Sequence, residues 1–183
     1  MKRKILILSV LAICIATLAA GTIAFFTAEG KAHNVITTGG VEIAVQEWAD
    51  DEKTKPFENL SGVMPNTTVT KIAEVKNTGA SDAWVRVKVE KNIKLQGEGT
   101  PDTGLVELTP NTTDWTEKDG YYYYKEALKP GEVTAPIFTA VTFKPEMGNE
   151  YQNATATVDV SAQAVQTANN GDTVMDAKGW PNS

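Results

Sequence analysis

The chain has 183 residues with 17 basic and 23 acidic side chains, one cysteine (Cys14) and one histidine (His33). Setting aside Lys2, Arg3 and Lys4 at the extreme start leaves 14 basic against 23 acidic residues, a net charge of −9. An acidic chain without a Lys/Arg stripe repels phosphates, which argues against a nucleic-acid partner, and a lone Cys and a lone His supply no disulfide, thiolate zinc site or Cys/His dyad.

In chain order, the basic start is followed by the apolar stretch Ile5–Ala20 and by small residues at Thr22 and Ala24. This is the pattern of a secretory signal over residues 1–24, cut between Ala24 and Phe25. A retained anchor is the rival reading, because Ile5 to Phe26 is 22 uncharged residues and about 20 span a bilayer. The break at Gly21-Thr22 and the lack of a basic cluster after the run favour cleavage. A lipidated Cys14 does not fit, since Ile13 precedes it in mid-run.

Residues 25–37 form a strand-capable terminus. Phe25, Phe26, Thr27 and Ala28 lead into Gly30-Lys31-Ala32, a short hinge, and then Val35. An exposed apolar end of this kind finds a partner. It either lies on its own sheet or is donated to the unpaired sheet edge of a neighbour; mutual donation is head-to-tail and builds a filament. The residues themselves leave both readings open.

From 38 to 168 the apolar residues recur with a period of two, so the region reads as half-buried strands. The predicted strands are Val41–Trp48, Thr68–Val75, Ala83–Glu90, Gly120–Lys125, Val133–Phe143 and Ala154–Ala164. Ala83, Val85, Val87 and Val89 face one way, and Trp84, Arg86, Lys88 and Glu90 the other. Turn clusters punctuate them at Ser61-Gly62, Asn77-Thr78-Gly79, Asp119-Gly120, Lys129-Pro130-Gly131 and Gly148-Asn149. The stretch 96–113 reads as an insertion between strands, and the tail 169–183 as loosely packed, with Trp180 a sign of docking. The fold class is all-β, an antiparallel sandwich or jelly roll preceded by a cleaved signal.

The catalytic inventory is thin. His33 has no H-E-x-x-H partner, and Asp50-Asp51-Glu52 lacks the alternating carboxylates of a calcium loop, so a charged loop is favoured there. No catalytic, metal or cofactor residue is assigned. The run Tyr121–Tyr124 sends two rings into a core and two outward; with Trp84 and Trp115, the rings of Tyr122 and Tyr124 are candidates for stacking on a sugar, against the alternative of cross-strand packing. Four Asn-x-Ser/Thr triplets, at Asn59, Asn66, Asn111 and Asn153, remain unassigned.

Several segments carry a resemblance: Gly21–Thr27, Asn34–Ile43, Pro65–Val69, Val75–Gly79, Trp84–Val87, Leu128–Glu132 and Ala162–Gln166. In this order and behind this leader, they resemble the exported TasA/camelysin family of Gram-positive bacteria. The resemblance implies a jelly-roll domain released by a SipW-type signal peptidase and assembled, outside the cell, into head-to-tail biofilm matrix fibres at the cell surface, with accessory matrix proteins as further partners. The donated strand would run from Phe25 to about Val35. Asn66 stands where relatives tend to have glycine, a mild departure because Asn tolerates the left-handed conformation. The metallopeptidase label of camelysin-like relatives finds no zinc-binding pattern here. The alternative expectation is a monomeric carbohydrate-binding module at the cell surface.

Overall fold

Nine strands form among residues 35–37, 40–58 and 65–181, which the computed structural model describes and which all lie in the unit His33–Ser183. They are β1 (Val35–Thr37), β2 (Ile43–Trp48), β3 (Thr67–Asn77), β4 (Ala83–Lys94), β5 (Val106–Leu108), β6 (Trp115–Lys118), β7 (Tyr121–Tyr124), β8 (Phe138–Phe143) and β9 (Thr155–Gln166). One sheet has the order β1-β9-β4-β7-β6 and the other β2-β3-β8-β5. Every pairing is antiparallel except β1 with β9, which is parallel. No helix among the described residues is long and apolar enough to cross a membrane.

The period-two pattern becomes a shared core. Val85 and Val87 of β4, Ala162 and Ala164 of β9, and Val45, Ala73 and Val75 of the opposite sheet are buried in one cluster, which makes the two sheets a β-sandwich. Trp115 and Phe138 are its largest fully buried side chains. The predicted signal peptide lies outside the described residues.

Turn chemistry sets the connections. Asp119 and Gly120 both have positive φ, 54° and 77°, as a two-residue turn between the right-twisted β6 and β7 requires. At Lys129–Glu132 the Glu132 N–H donates to the Lys129 carbonyl at 3.0 Å, with Pro130 and a left-handed Gly131 between them, a type II turn. Asn66 also has positive φ, 59°.

Two expected elements differ. The run Val133–Phe143 becomes a strand only from Phe138. Pro136 has no N–H to donate, and β3 carries a bulge between Thr70 and Ala73. There the Thr134 hydroxyl accepts from Val75 N–H at 3.0 Å, and Ile137 N–H donates to the Ala73 carbonyl at 2.8 Å. The stretch 96–113, read as an insertion, supplies a 3-10 turn at Thr103–Leu105 and the edge strand β5, paired with β8 through Val106↔Phe143. Only three residues long, β5 was too short to show a period.

Asn77 ties the sheets' connections together. It is fully buried, and its amide donates to the Ser81 and Leu128 carbonyls, each at 2.8 Å, while its Oδ1 accepts from Gly79 N–H at 2.9 Å. A Cβ on Gly79 would lie 2.7 Å from the backbone nitrogen of Glu42, so the Asn-x-Gly turn admits no side chain at its third position. Asn77→Ala removes three hydrogen bonds from a fully buried position, although the Leu128 carbonyl keeps the Ala83 N–H and the Gly79 N–H keeps the Glu42 carbonyl. It is expected to lower the unfolding free energy by about 3 kcal/mol in urea titrations, and a loss below about 1 kcal/mol would contradict this reading.

Candidate functional site

Sheet edges are where a sandwich meets other chains, and the four edges here are treated differently. β6 carries exposed Glu117 and Lys118, and β5 carries Glu107, which faces Lys144 at 3.7 Å. At β2 the following loop folds back, with Phe57 N–H donating to the Glu47 carbonyl at 2.9 Å and Pro56 bridging to Trp48. These devices block further strand pairing.

The remaining edge belongs to β1 and β9. β9 is 12 residues long and pairs with β4 over its whole length, from Ala83↔Gln166 to Lys94↔Thr155. On its other side β1 covers only Ala162, Gln163 and Ala164. Among the described residues, no strand pairs with Thr155–Ser161 on that side, so every second N–H and C=O of that segment points outward. Asp159 is the one charged residue there, and Val158 and Ala156 turn inward onto the core.

Of the expected assembly residues, Val35 stands in β1 opposite Ala162. Phe25, Phe26, Thr27 and Ala28, and the cleavage residues Thr22 and Ala24, lie outside the described residues, as does His33.

The proposed sugar-stacking set is not an open platform. Trp115 is 2% exposed, its indole N–H donates to the Ala135 carbonyl at 3.0 Å, and its ring packs on Tyr124 with centroids 5.0 Å apart. Tyr122 and Tyr124 lie half-buried against the main core, and Trp84 is on the opposite face of the sheet. Strand alternation, which sends neighbouring residues to opposite faces, separates these rings.

The tail, expected to be loose, is instead seated on the outer face of the five-stranded sheet. Val174 is buried with Trp84, Tyr123 and Val165, and Tyr121, Ala127, Ala177 and Trp180 pack around them. Arg86 is the clasp. Its Nε donates to Gln163 Oε1 at 2.7 Å, and its guanidinium nitrogens donate to the Tyr123 hydroxyl at 3.1 Å and the Pro181 carbonyl at 3.3 Å. The guanidinium also lies 4.0 Å from the Tyr121 ring centroid and 4.7 Å from that of Trp180. A planar cation between two rings combines stacking with directed hydrogen bonds, which an ammonium does not reproduce. Sequence reading missed this: Arg86 scans as an ordinary solvent-side residue, and Trp180 was its single trace.

The loop after β2 uses its own acids. Asp50 accepts from Thr54 N–H at 2.8 Å and Lys55 N–H at 3.1 Å. The Thr54 hydroxyl bond, foremost, and these backbone bonds hold its carboxyl below the ordinary carboxylate range. Lys53 pairs with buried Glu74, which also accepts from the Trp48 indole at 2.9 Å, and buried Lys71 pairs with Glu47 at 2.7 Å. Among the described residues no three His, Cys, Asp or Glu side chains gather as metal ligands.

No family model matches the chain, and no curated protein or solved structure does either.

Arg86→Ala is expected to cost about 2–4 kcal/mol in urea unfolding and to expose Trp180, with Arg86→Lys recovering little of it; full recovery by lysine would show that charge alone suffices. A second expectation concerns alkali. Burial, with Glu117 nearby, raises the Tyr122 hydroxyl above its ordinary value of 10.0. The folded state then keeps a proton that the unfolded chain has lost. The stabilisation is complete below 10.0 and drains away as pH climbs through the higher folded value. Tyr122→Phe should therefore flatten the alkaline fall in melting temperature; an unchanged slope would assign that fall to other groups.

Proposed function

We propose that this is a secreted structural protein that assembles outside a Gram-positive cell into matrix fibres, each copy donating its N-terminal strand to the next. The single observation that carries the reading is the partly covered edge of β9. β1 runs parallel to β9 with Val35 opposite Ala162. Continued backward in that register, Ala28–Asn34 would fall opposite Thr155–Ser161, the length of edge that no described strand covers. Within the expected donor, Ala28–Asn34 would run the length of the available edge in the same direction, and backbone hydrogen bonds along such an edge supply affinity while side chains set register. A bend just before Val35 would let the segment leave its own subunit and serve a neighbour, making the contact heterologous and open-ended.

Further support comes from the order of the strands. Apart from the parallel β1, β9 lies beside β4, β4 beside β7, and β3 beside β8 beside β5. This interleaving arises when a long antiparallel hairpin wraps over on itself, and on it we read the sandwich as a jelly roll in which β6 stays with β7. The resemblance to the TasA/camelysin family agrees, and with it come processing by a SipW-type peptidase and accessory matrix partners.

Electron microscopy of protein beginning at Phe25 is expected to show filaments, and protein lacking residues 25–34 none; filaments that survive the deletion would refute strand donation. A cross-linking arm separates donation from self-pairing. With Cys14 removed alongside the leader, the chain has no other cysteine. Mixing an Ala32→Cys protein with an Asp159→Cys protein should give a disulfide between unlike chains. If only the double variant cross-links, and within one chain, the segment stays at home and the polymer reading fails.

A further inference from the structure

The geometry points to Asn170-Gly171 as a deamidation site whose conversion unpins the C-terminal segment from the sheet. It is the one Asn-Gly dipeptide in the chain, and the tail's seating requires both of its residues. Asn170 is the second fastening point after Arg86. Its amide donates to the Gln166 carbonyl at 3.1 Å and the Lys178 carbonyl at 3.0 Å, its Oδ1 accepts from Lys178 N–H at 2.8 Å, and its own carbonyl accepts from the Trp84 indole at 3.2 Å. Of the polar side chains, only an asparagine of this length offers two amide donors and an acceptor here. Gly171 is equally fixed. It has φ +81°, and a Cβ there would sit 2.9 Å from the Asp176 Cβ and 3.0 Å from the Asp176 carbonyl carbon.

The pairing carries a chemical liability. With no side chain on Gly171 to obstruct it, the Gly171 amide nitrogen can attack the Asn170 side-chain carbonyl carbon. The N–Cγ bond forms, the Cγ–Nδ2 bond breaks and ammonia leaves with the displaced proton; water then opens the five-membered imide at either carbonyl. The products are aspartate and isoaspartate, with no redox change. Gly171 is exposed and Asn170 is half-buried. The three side-chain hydrogen bonds hold the amide away from attack while the tail is seated, so the reaction proceeds from the opened loop and makes that opening permanent. In the product an oxygen replaces Nδ2, facing two carbonyl oxygens where it had donated to both; isoaspartate also displaces the backbone that receives Trp84. The aromatic face of Trp84, Tyr123 and Val165 is then uncovered.

The test uses purified protein held at mildly alkaline pH, with peptide mapping that distinguishes isoaspartate, followed by limited trypsin digestion after Lys178. Asn170 should convert ahead of every other asparagine. The converted fraction should be cut about tenfold faster than the rest, and Asn170→Asp should be cut at the same raised rate while hydrogen exchange along β4 and β9 stays slow. Survival of Asn170 while other asparagines convert overturns the proposal, as does wild-type resistance to trypsin in the converted fraction. The ageing arm uses the natural chain, so it decides the matter even if Asn170→Asp folds poorly.

Discussion

The antiparallel ladder between β4 and β9 is the constraint on which the other features hang. It joins 12 residue pairs whose positions are 61 to 83 apart in sequence, from Lys94↔Thr155 to Ala83↔Gln166. Once it forms, one face of the pair is committed to the sandwich core through Val85, Val87, Ala162 and Ala164. The opposite face then presents Trp84, Arg86, Gln163 and Val165 as a second, smaller apolar surface. A slip by one residue would exchange these two sets, burying Arg86 in the core and exposing the valines, so register is strongly specified. The same ladder creates the unequal edge: β9 is as long as β4, while β1 is short.

Much of this was legible because a strand's period is local. Val85 and Val87 against Trp84 and Arg86 name two faces from eight residues, and Asp119-Gly120 and Lys129-Pro130-Gly131 name turns by their conformational demands alone. The two-in, two-out reading of Tyr121–Tyr124 holds: Tyr122 and Tyr124 join the main core, and Tyr121 and Tyr123 join the outer cluster. What alternation does not give is the cover on an outward face. Arg86 and Pro181 are 95 residues apart, and nothing near either marks the other. The sugar platform failed for a related reason. It grouped Trp84, Trp115 and two tyrosines by type, but their positions along the strands put them on two faces. Of the candidate assembly edge, the sequence suggested a donor segment that lies, but for Val35, outside the described residues, and it left the acceptor unnamed, since an unpaired edge is a property of neighbours.

The described part of the domain has no disulfide, and its stability is distributed among a few polar nodes, buried at Asn77 and half-buried at Arg86 and Asn170, as well as the apolar core. Asn77, Arg86 and Asn170 each fasten irregular chain to a sheet with three or more hydrogen bonds. Among the described residues no buried side-chain nitrogen or oxygen lacks a partner. Such nodes cost desolvation on folding, and once satisfied they are worth little more than the alternatives. Their larger effect is negative: any competing arrangement of the same loops leaves these groups buried and unpaired, so one arrangement is selected.

That selection bears on how one small domain offers an edge without sticking indiscriminately. A two-sheet sandwich has four edges, and unprotected edges aggregate. Charges on β6 and β5 and the folded-back loop at β2 close three of them, while the tail, held at Arg86 and Asn170, keeps the aromatic outer face out of water. Among the described residues the edge left open is that of β9, where the parallel start made by β1 sets the direction and register of any strand that would extend it. A specific assembly needs this division of labour. In the assembly proposed above, affinity would come from the stretch of β9 that no described strand pairs, and specificity from the closing of the other surfaces.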